Sequence, residues 1–218
     1  MPLVQPLSEQ QREQENTGVK EVDERHRLDA GALEAWLKDN VRGYAGPLRI
    51  RQFKGGQSNP TYQLVTPGGS YVLRRKPSGR LLPSAHAVDR EYRVLSALHP
   101  TGFPVARTHG LCTDEGVIGA IFYVMDMVEG RVLWDQTLPR CEPAERRAIH
   151  MAQLKTLAEL HNTDHQAVGL SDFGRPGNYM GRQIERWAKQ YRASETERIE
   201  EMERLIEWLP ATLPAQSK

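Results

Sequence analysis

Residues 54–80, KGGQSNPTYQLVTPGGSYVLRRKPSGR, restrict the possible folds more than any other stretch. Two short runs of β-forming residues flank Thr-Pro-Gly-Gly, which predicts an antiparallel hairpin. In the first run, 60–66, Tyr62, Leu64 and Thr66 share one face and Thr61, Gln63 and Val65 the other. In the second, 70–76, Tyr71, Leu73 and Arg75 lie opposite Val72, Arg74 and Lys76. The loop that opens the hairpin is Gly55-Gly56-Gln57-Ser58-Asn59. Its glycines let backbone N–H groups come close to an anion, and its short polar side chains can add bonds, as phosphate oxygens require. Val72 would then touch a flat apolar ring while Arg74 or Lys76 reaches the anionic end. Taken alone, these residues favour an ordinary hairpin with solvated cations, and the neighbouring segments change that balance.

Residues 1–27 are rich in Gln and Glu, lack apolar periodicity and read as a mobile arm, with Val19 and Val22 available to pin its end. Asp29 is a helix cap, followed by an apolar stripe of Leu33, Trp36, Leu37 and Val41. A strand is expected at 48–53, leading into the glycine loop. Ser84 caps a predicted helix over 85–98, with Val88, Tyr92, Leu95 and Leu98 buried and Glu91 beside that stripe. Strands follow at 107–113 and 117–127, the latter apolar enough to be central. After Glu129-Gly130 only helices are expected, at 142–161, 180–192 and 196–209. The pattern is α+β: a sheet-bearing lobe at 28–127 joined near residues 125–130 to a helical lobe at 128–218.

The 218 residues carry a formal net charge of +1, which gives no support for a nucleic-acid partner. Arg74, Arg75, Lys76 and Arg80 form a local basic cluster without interleaved base-stacking aromatics. Two cysteines, Cys112 and Cys141, make neither a CxxC nor a Cys/His group, so no zinc site or disulfide framework is expected. No apolar run reaches membrane-spanning length, and the N-terminus lacks the core of a signal peptide. The expectation is a soluble cytoplasmic protein without a membrane partner.

The ordered series GGQSNPTYQL, YVLRRKP, REYRVLSALH, FYVMDMVEG and LAELH resembles the aminoglycoside phosphotransferase/choline kinase group of protein-kinase-like enzymes. Within it, the series is most similar to the branch found alone or fused to acyl-CoA dehydrogenases. The resemblance spans about residues 28–209 and implies a protein-kinase-like N-lobe with the first helices of a C-lobe. It implies that Gly55, Gly56, Gln57, Ser58 and Asn59 cover the phosphates of ATP. Arg74 falls where a strand lysine usually holds the α- and β-phosphates, with Lys76 in reserve, and Glu91 would be the helix carboxylate that orients the cation. Val72 would touch adenine, and Met125, Asp126 and Val128 would form the hinge, pairing backbone groups with its edge. His161, which ends LAELH, is expected to be structural.

The catalytic half departs from that pattern. The family needs an H-G-D-x-x-x-x-N loop and a later Asp to accept a proton and hold Mg²⁺. No His-x-Asp occurs in the sequence. Asp172-Phe173-Gly174 is a literal DFG, but it lacks flanking strands and a preceding catalytic loop. No catalytic or metal-binding residue is therefore assigned, and Mg²⁺ is expected only with residues beyond Lys218. The implied function is an ATP-dependent phosphotransferase to a small-molecule hydroxyl, represented by its nucleotide-binding half and inactive alone. By analogy with the fused branch, a hydroxyacyl-CoA is the expected acceptor, and uncovered helix faces lead to an expectation of self-association. The competing reading is a non-catalytic nucleotide- or partner-binding module with the same fold.

Overall fold

The computed structural model of the chain describes residues 15–55, 59–77, 86–175 and 177–214. The chain divides into two compact units, Met1–Asp164 and His165–Lys218. The first contains β1 (Val19–Lys20), α1 (Ala30–Asn40), β2 (Arg49–Phe53), β3 (Thr61–Thr66) and β4 (Gly69–Arg75). It continues with α2 (Val88–Leu98), β5 (Thr108–Cys112), β6 (Phe122–Asp126) and α3 (Pro143–His161). Its six strands form one antiparallel sheet in the order β1-β2-β3-β4-β6-β5. The class is α+β, as the alternation and helix periods predict.

The hairpin forms at the expected turn, where Thr66 pairs with Gly69 and the Thr66 hydroxyl donates to the Gly69 carbonyl at 2.9 Å. Gly69 has φ +141, a conformation that any side chain would strain. Strand alternation then sends Tyr62, Leu64 and Leu73 to one face, where they join Phe122 and Val124 in the core. α1 covers that face with Leu33, Leu37 and Val41. The helix starts where the Asp29 carboxylate accepts the Ala32 N–H at 2.9 Å, satisfying one of the orphan donors of its first turn. Leu33 and Leu37 are fully buried, each contributing up to about 1.5–3 kcal/mol by removal from water. Trp36 meets Phe122 edge-on, ring centres 4.8 Å apart.

The opposite face carries Val72, Arg74, Tyr123 and Met125, by the register Val72↔Met125 and Arg74↔Tyr123. Helix α2 borders this face, with Tyr92 tilted against Tyr123 at 6.1 Å. A helix on each side thus separates a mainly apolar layer from one where the Arg74, Glu91 and Tyr123 side chains gather.

Several boundaries differ from the sequence reading. β6 starts at Phe122 rather than 117, because residues 117–120 turn, with Gly119 at φ +78. Ile118 is apolar because that turn buries it, to 7% exposure, and not because it lies in a strand. Ser84 lies outside the described residues, and α2 begins at Val88 behind Ala87, which makes no side-chain cap. Within the segment read as an arm, Val19 and Lys20 pair with Phe53 and Gln52, and Val22 packs on the core. α3 forms as expected, but Met151, Leu154, Leu157 and Leu160 on it are exposed. His161 ends α3 exposed to solvent, and no backbone bond holds its ring among the described residues, contrary to the structural role expected for it.

The second unit holds α4 (Tyr179–Ser194) and α5 (Glu200–Ala211). Arg192 of α4 grips both carboxylate oxygens of Glu203 on α5, with Nη2 to Oε2 at 2.6 Å. Pro210, expected to end the last helix, sits inside its final turn, where the one lost N–H bond is tolerated. Asp172-Phe173-Gly174 lies in turns before α4, with no strand on either side. A cavity of about 740 Å³ between α4 and α5 is walled by Ile184, Trp187, Met202, Leu205 and Trp208, without an ionised group. No helix among the described residues is long and apolar enough to cross a membrane.

Candidate functional site

The polar cluster on the second sheet face is built by three elements. β4 delivers Arg74, α2 delivers Glu91 and β6 delivers Tyr123. Arg74 Nε lies 2.7 Å from Glu91 Oε2. That contact is close but its N–H is not aimed along it; the directed bond runs from Nη2 to Oε1 at 3.4 Å. Both side chains are about one-third exposed, so water still reaches the cation. A carboxylate that holds the guanidinium from one side leaves its outer edge free to meet another anion.

Glu91 is a hub. Its Oε1 also accepts from Asn59 Nδ2 at 3.1 Å, and its Oε2 from the Tyr123 hydroxyl at 3.2 Å. Asn59 closes the glycine loop, is only 4% exposed, and turns its Oδ1 toward His86 Nδ1 at 3.0 Å. The carboxylate that aims Arg74 therefore also ties down the end of the loop. Burial, reinforced by the Glu91 charge, pushes the Tyr123 phenol well above its ordinary range and outweighs the opposing pull of Arg74. Its hydroxyl stays a donor throughout the neutral range.

Val72 and Met125 are paired across β4 and β6 on the same face as Arg74, giving an apolar wall beside the cation. β6 ends at Asp126, and Val128, 69% exposed, follows it. Asp126 is fixed twice. Its N–H donates to the Arg107 carbonyl at 2.8 Å, and its carboxylate holds His109 Nε2 at 2.6 Å. His109 in turn stands edge-on to Tyr71, ring centres 5.2 Å apart.

Of the predicted site residues, the structure brings Asn59, Arg74 and Glu91 into one bonded set and lines up Val72 with Met125. Gly56, Gln57 and Ser58 lie outside the described residues. Gly55 is described, and a Cβ there would fall 2.9 Å from the Asn16 carbonyl, so the close approach of that segment requires glycine. Lys76 follows the end of β4 and forms no ion pair with Glu91 among the described residues, whereas Arg74 does. Arg75 points to the other face and is 4% exposed, which splits the basic cluster read from the sequence. Tyr123, His86 and His109 were not singled out. Tyr123 becomes visible only through the Arg74↔Tyr123 register, which a single sequence does not show.

No group of three His, Cys, Asp or Glu side chains lies together among the described residues. The carboxylate nearest the cation, Glu91, already accepts from Arg74, Asn59 and Tyr123. These residues do not fit a divalent metal.

Residues 49–218 match the model of a family described as the phosphotransferase enzyme family. The chain belongs to the phosphotransferase enzyme family. Among curated proteins, acyl-CoA dehydrogenase family member 10 of Mus musculus is 47% identical over 86% of this chain and 18% of its own length. Acyl-CoA dehydrogenase family member 11 of Gallus gallus is 46% identical over 90% of this chain, and that of Homo sapiens 43% identical over 90%, each match covering 26% of the relative. A crystal structure from Ralstonia eutropha, provisionally named an aminoglycoside phosphotransferase, superposes with a TM-score of 0.74 at 55% identity. That match covers 86% of this chain and 54% of the solved one. The phosphotransferase fold, the aminoglycoside phosphotransferase neighbour and the acyl-CoA dehydrogenase relatives are those to which the sequence motifs point. The chain spans 18–26% of the length of these curated relatives and about half of the solved structure.

Proposed function

We propose that this chain is the nucleotide-binding part of an ATP-dependent phosphotransferase that acts on a hydroxyl of a small molecule. The observation that carries the reading is the Arg74–Glu91 pair, anchored by Asn59 at the end of the glycine loop. It presents an oriented guanidinium beside the Val72–Met125 wall, the arrangement an adenine ring followed by phosphates requires. In this reading Val72 and Met125 contact the adenine faces, and backbone groups of Asp126 and Val128 meet its edge. Arg74 binds phosphate oxygens, held in direction by Glu91. ATP, when bound, supplies the transferable phosphoryl group.

The relatives' names lead us to propose a hydroxylated acyl-CoA as the acceptor class, and we propose a cytoplasmic location. The sequence holds no His-x-Asp loop, and the described residues assemble no metal site. The chain by itself is thus expected to bind ATP without turning it over. Calorimetric titration of ATP with and without Mg²⁺, with ADP measured in parallel, tests this. Millimolar binding, about −4 kcal/mol, with little Mg²⁺ dependence and no ADP is the expected result. Micromolar, Mg²⁺-dependent binding with ADP release would place the catalytic residues within this chain. Absence of binding would favour a partner-binding module.

A further inference from the structure

His86 stands two residues before the start of α2 in a left-handed conformation, φ 58, which few residues other than glycine adopt. Its carbonyl accepts the Val88 N–H at 2.9 Å, which fixes it against the start of the helix. Its Nδ1 lies 3.0 Å from Asn59 Oδ1, and Asn59 Nδ2 lies 3.1 Å from Glu91 Oε1.

Donor chemistry settles the direction of this chain. Glu91 accepts from Arg74 and Tyr123 through its carboxylate oxygens, so the NH₂ end of Asn59 is the end that faces it. The Asn59 oxygen then faces His86, and His86 Nδ1 must carry a proton to donate to it. Its other nitrogen, Nε2, has no partner among the described residues, and the side chain is half-buried beside the end of the glycine loop. Asn59 and Glu91 thus hold an imidazole by its Nδ1, with Nε2 unbonded among the described residues.

We propose that His86 is a phosphate-contacting residue of the nucleotide site: with Nδ1–H engaged by Asn59, Nε2 takes up a proton from solvent as the phosphate binds and donates it in a hydrogen bond to a phosphate oxygen, while Asn59 and Glu91 fix the ring. Arg74 and His86 then grip the anionic end of the ligand from two elements that share Glu91. The proposal rests on the reading of this cleft as a nucleotide site.

His86→Asn is the informative variant, because it suits the local backbone while removing the imidazole. ATP, inorganic pyrophosphate and adenosine are titrated against wild-type and variant chains by calorimetry. Long-range ¹⁵N–¹H spectra report the ring protons. The expected result is a proton on Nδ1 of the free protein, with an Nε2 shift on adding ATP or pyrophosphate but not adenosine. In His86→Asn, ATP and pyrophosphate should weaken about tenfold, as for loss of a charge-assisted bond, while adenosine binding and thermal stability hold. Equal weakening for ATP and adenosine would make His86 merely structural and overturn the proposal, as would unchanged ATP affinity or a free protein without the Nδ1 proton. If wild type binds neither ATP nor pyrophosphate, the nucleotide reading fails and takes this proposal with it.

Discussion

Tyr123 and Arg74 face each other across β6 and β4 and converge on one carboxylate, Glu91. Their side chains do not bond each other directly; helix α2 supplies the group that couples them. The cation of the site is therefore set by the packing of the sheet against α2, and not by the hairpin that carries it.

Removing the phenol oxygen should loosen that coupling. Tyr123→Phe deletes a buried donor to Glu91 Oε2 and leaves the ring packing with Tyr92 in place. A loss of about 1 kcal/mol in urea denaturation is expected, with ATP affinity reduced a few-fold as Arg74 gains freedom. Unchanged stability together with unchanged ATP binding would remove Tyr123 from the network.

Alkaline pH gives a second handle. Burial raises the Tyr123 phenol most, and Tyr62 and Tyr44 also move upward for the same first reason. Above about pH 10 the unfolded chain gives up phenolic protons that the native state retains. The unfolded state then binds fewer protons, so stability falls as pH rises beyond that point. Denaturation midpoints at pH 8, 10 and 11 should fall over the upper interval, and Tyr123→Phe should flatten the fall. A midpoint independent of pH up to 11 would contradict it.

The second unit responds to acid instead. Glu203 is held below the usual carboxylate range mainly by its hydrogen bonds from Arg192, with burial opposing. A lowered native value gives stability that is present above the unfolded carboxylate pKa, about 4.3, and lost as pH falls through the native one. Amide protection in α4 and α5 of the whole chain, taken relative to the intrinsic exchange rate at each pH, should fall below about pH 4. Glu203→Gln should show faster exchange already at pH 6, and identical protection in variant and wild type would refute the role of the pair.

The hairpin and its two faces were legible because strand alternation is a local rule: Tyr62, Leu64 and Leu73 went to the core and Val72 and Arg74 to the other face, as read. The stripe on α1 was legible for the same reason, with a capping Asp29 in front of it. Contacts that depend on register between distant strands were not. Glu91 could be picked out as a carboxylate near the front of a helix, but its bonds to Asn59 and Tyr123 span 32 residues in each direction. His86 carries no periodic signal, since its role arises from one left-handed residue before a helix. The apolar run at 117–121 misled because burial in a turn and burial in a strand select the same side chains.

The choice of arginine over lysine at residue 74 can be tested directly. Arg74 places two nitrogens toward the two oxygens of Glu91, Nε at 2.7 Å from Oε2 and Nη2 at 3.4 Å from Oε1. A lysine offers one nitrogen on a flexible stem, so it can meet one oxygen or a phosphate but not reproduce the fork. Arg74→Ala should weaken ATP by about tenfold or more, the effect of losing a charge-assisted contact. Arg74→Lys should lose only a few-fold, because the charge stays while its direction loosens. Lys76→Ala should bind like wild type, since Glu91 orients Arg74 and not Lys76. These three titrations, run at one salt concentration, separate charge from geometry. A Lys76→Ala defect as large as that of Arg74→Ala would move the phosphate contact to Lys76. An Arg74→Lys chain that binds ATP as tightly as wild type would mean the second nitrogen contributes nothing, and Glu91 would then serve the fold alone.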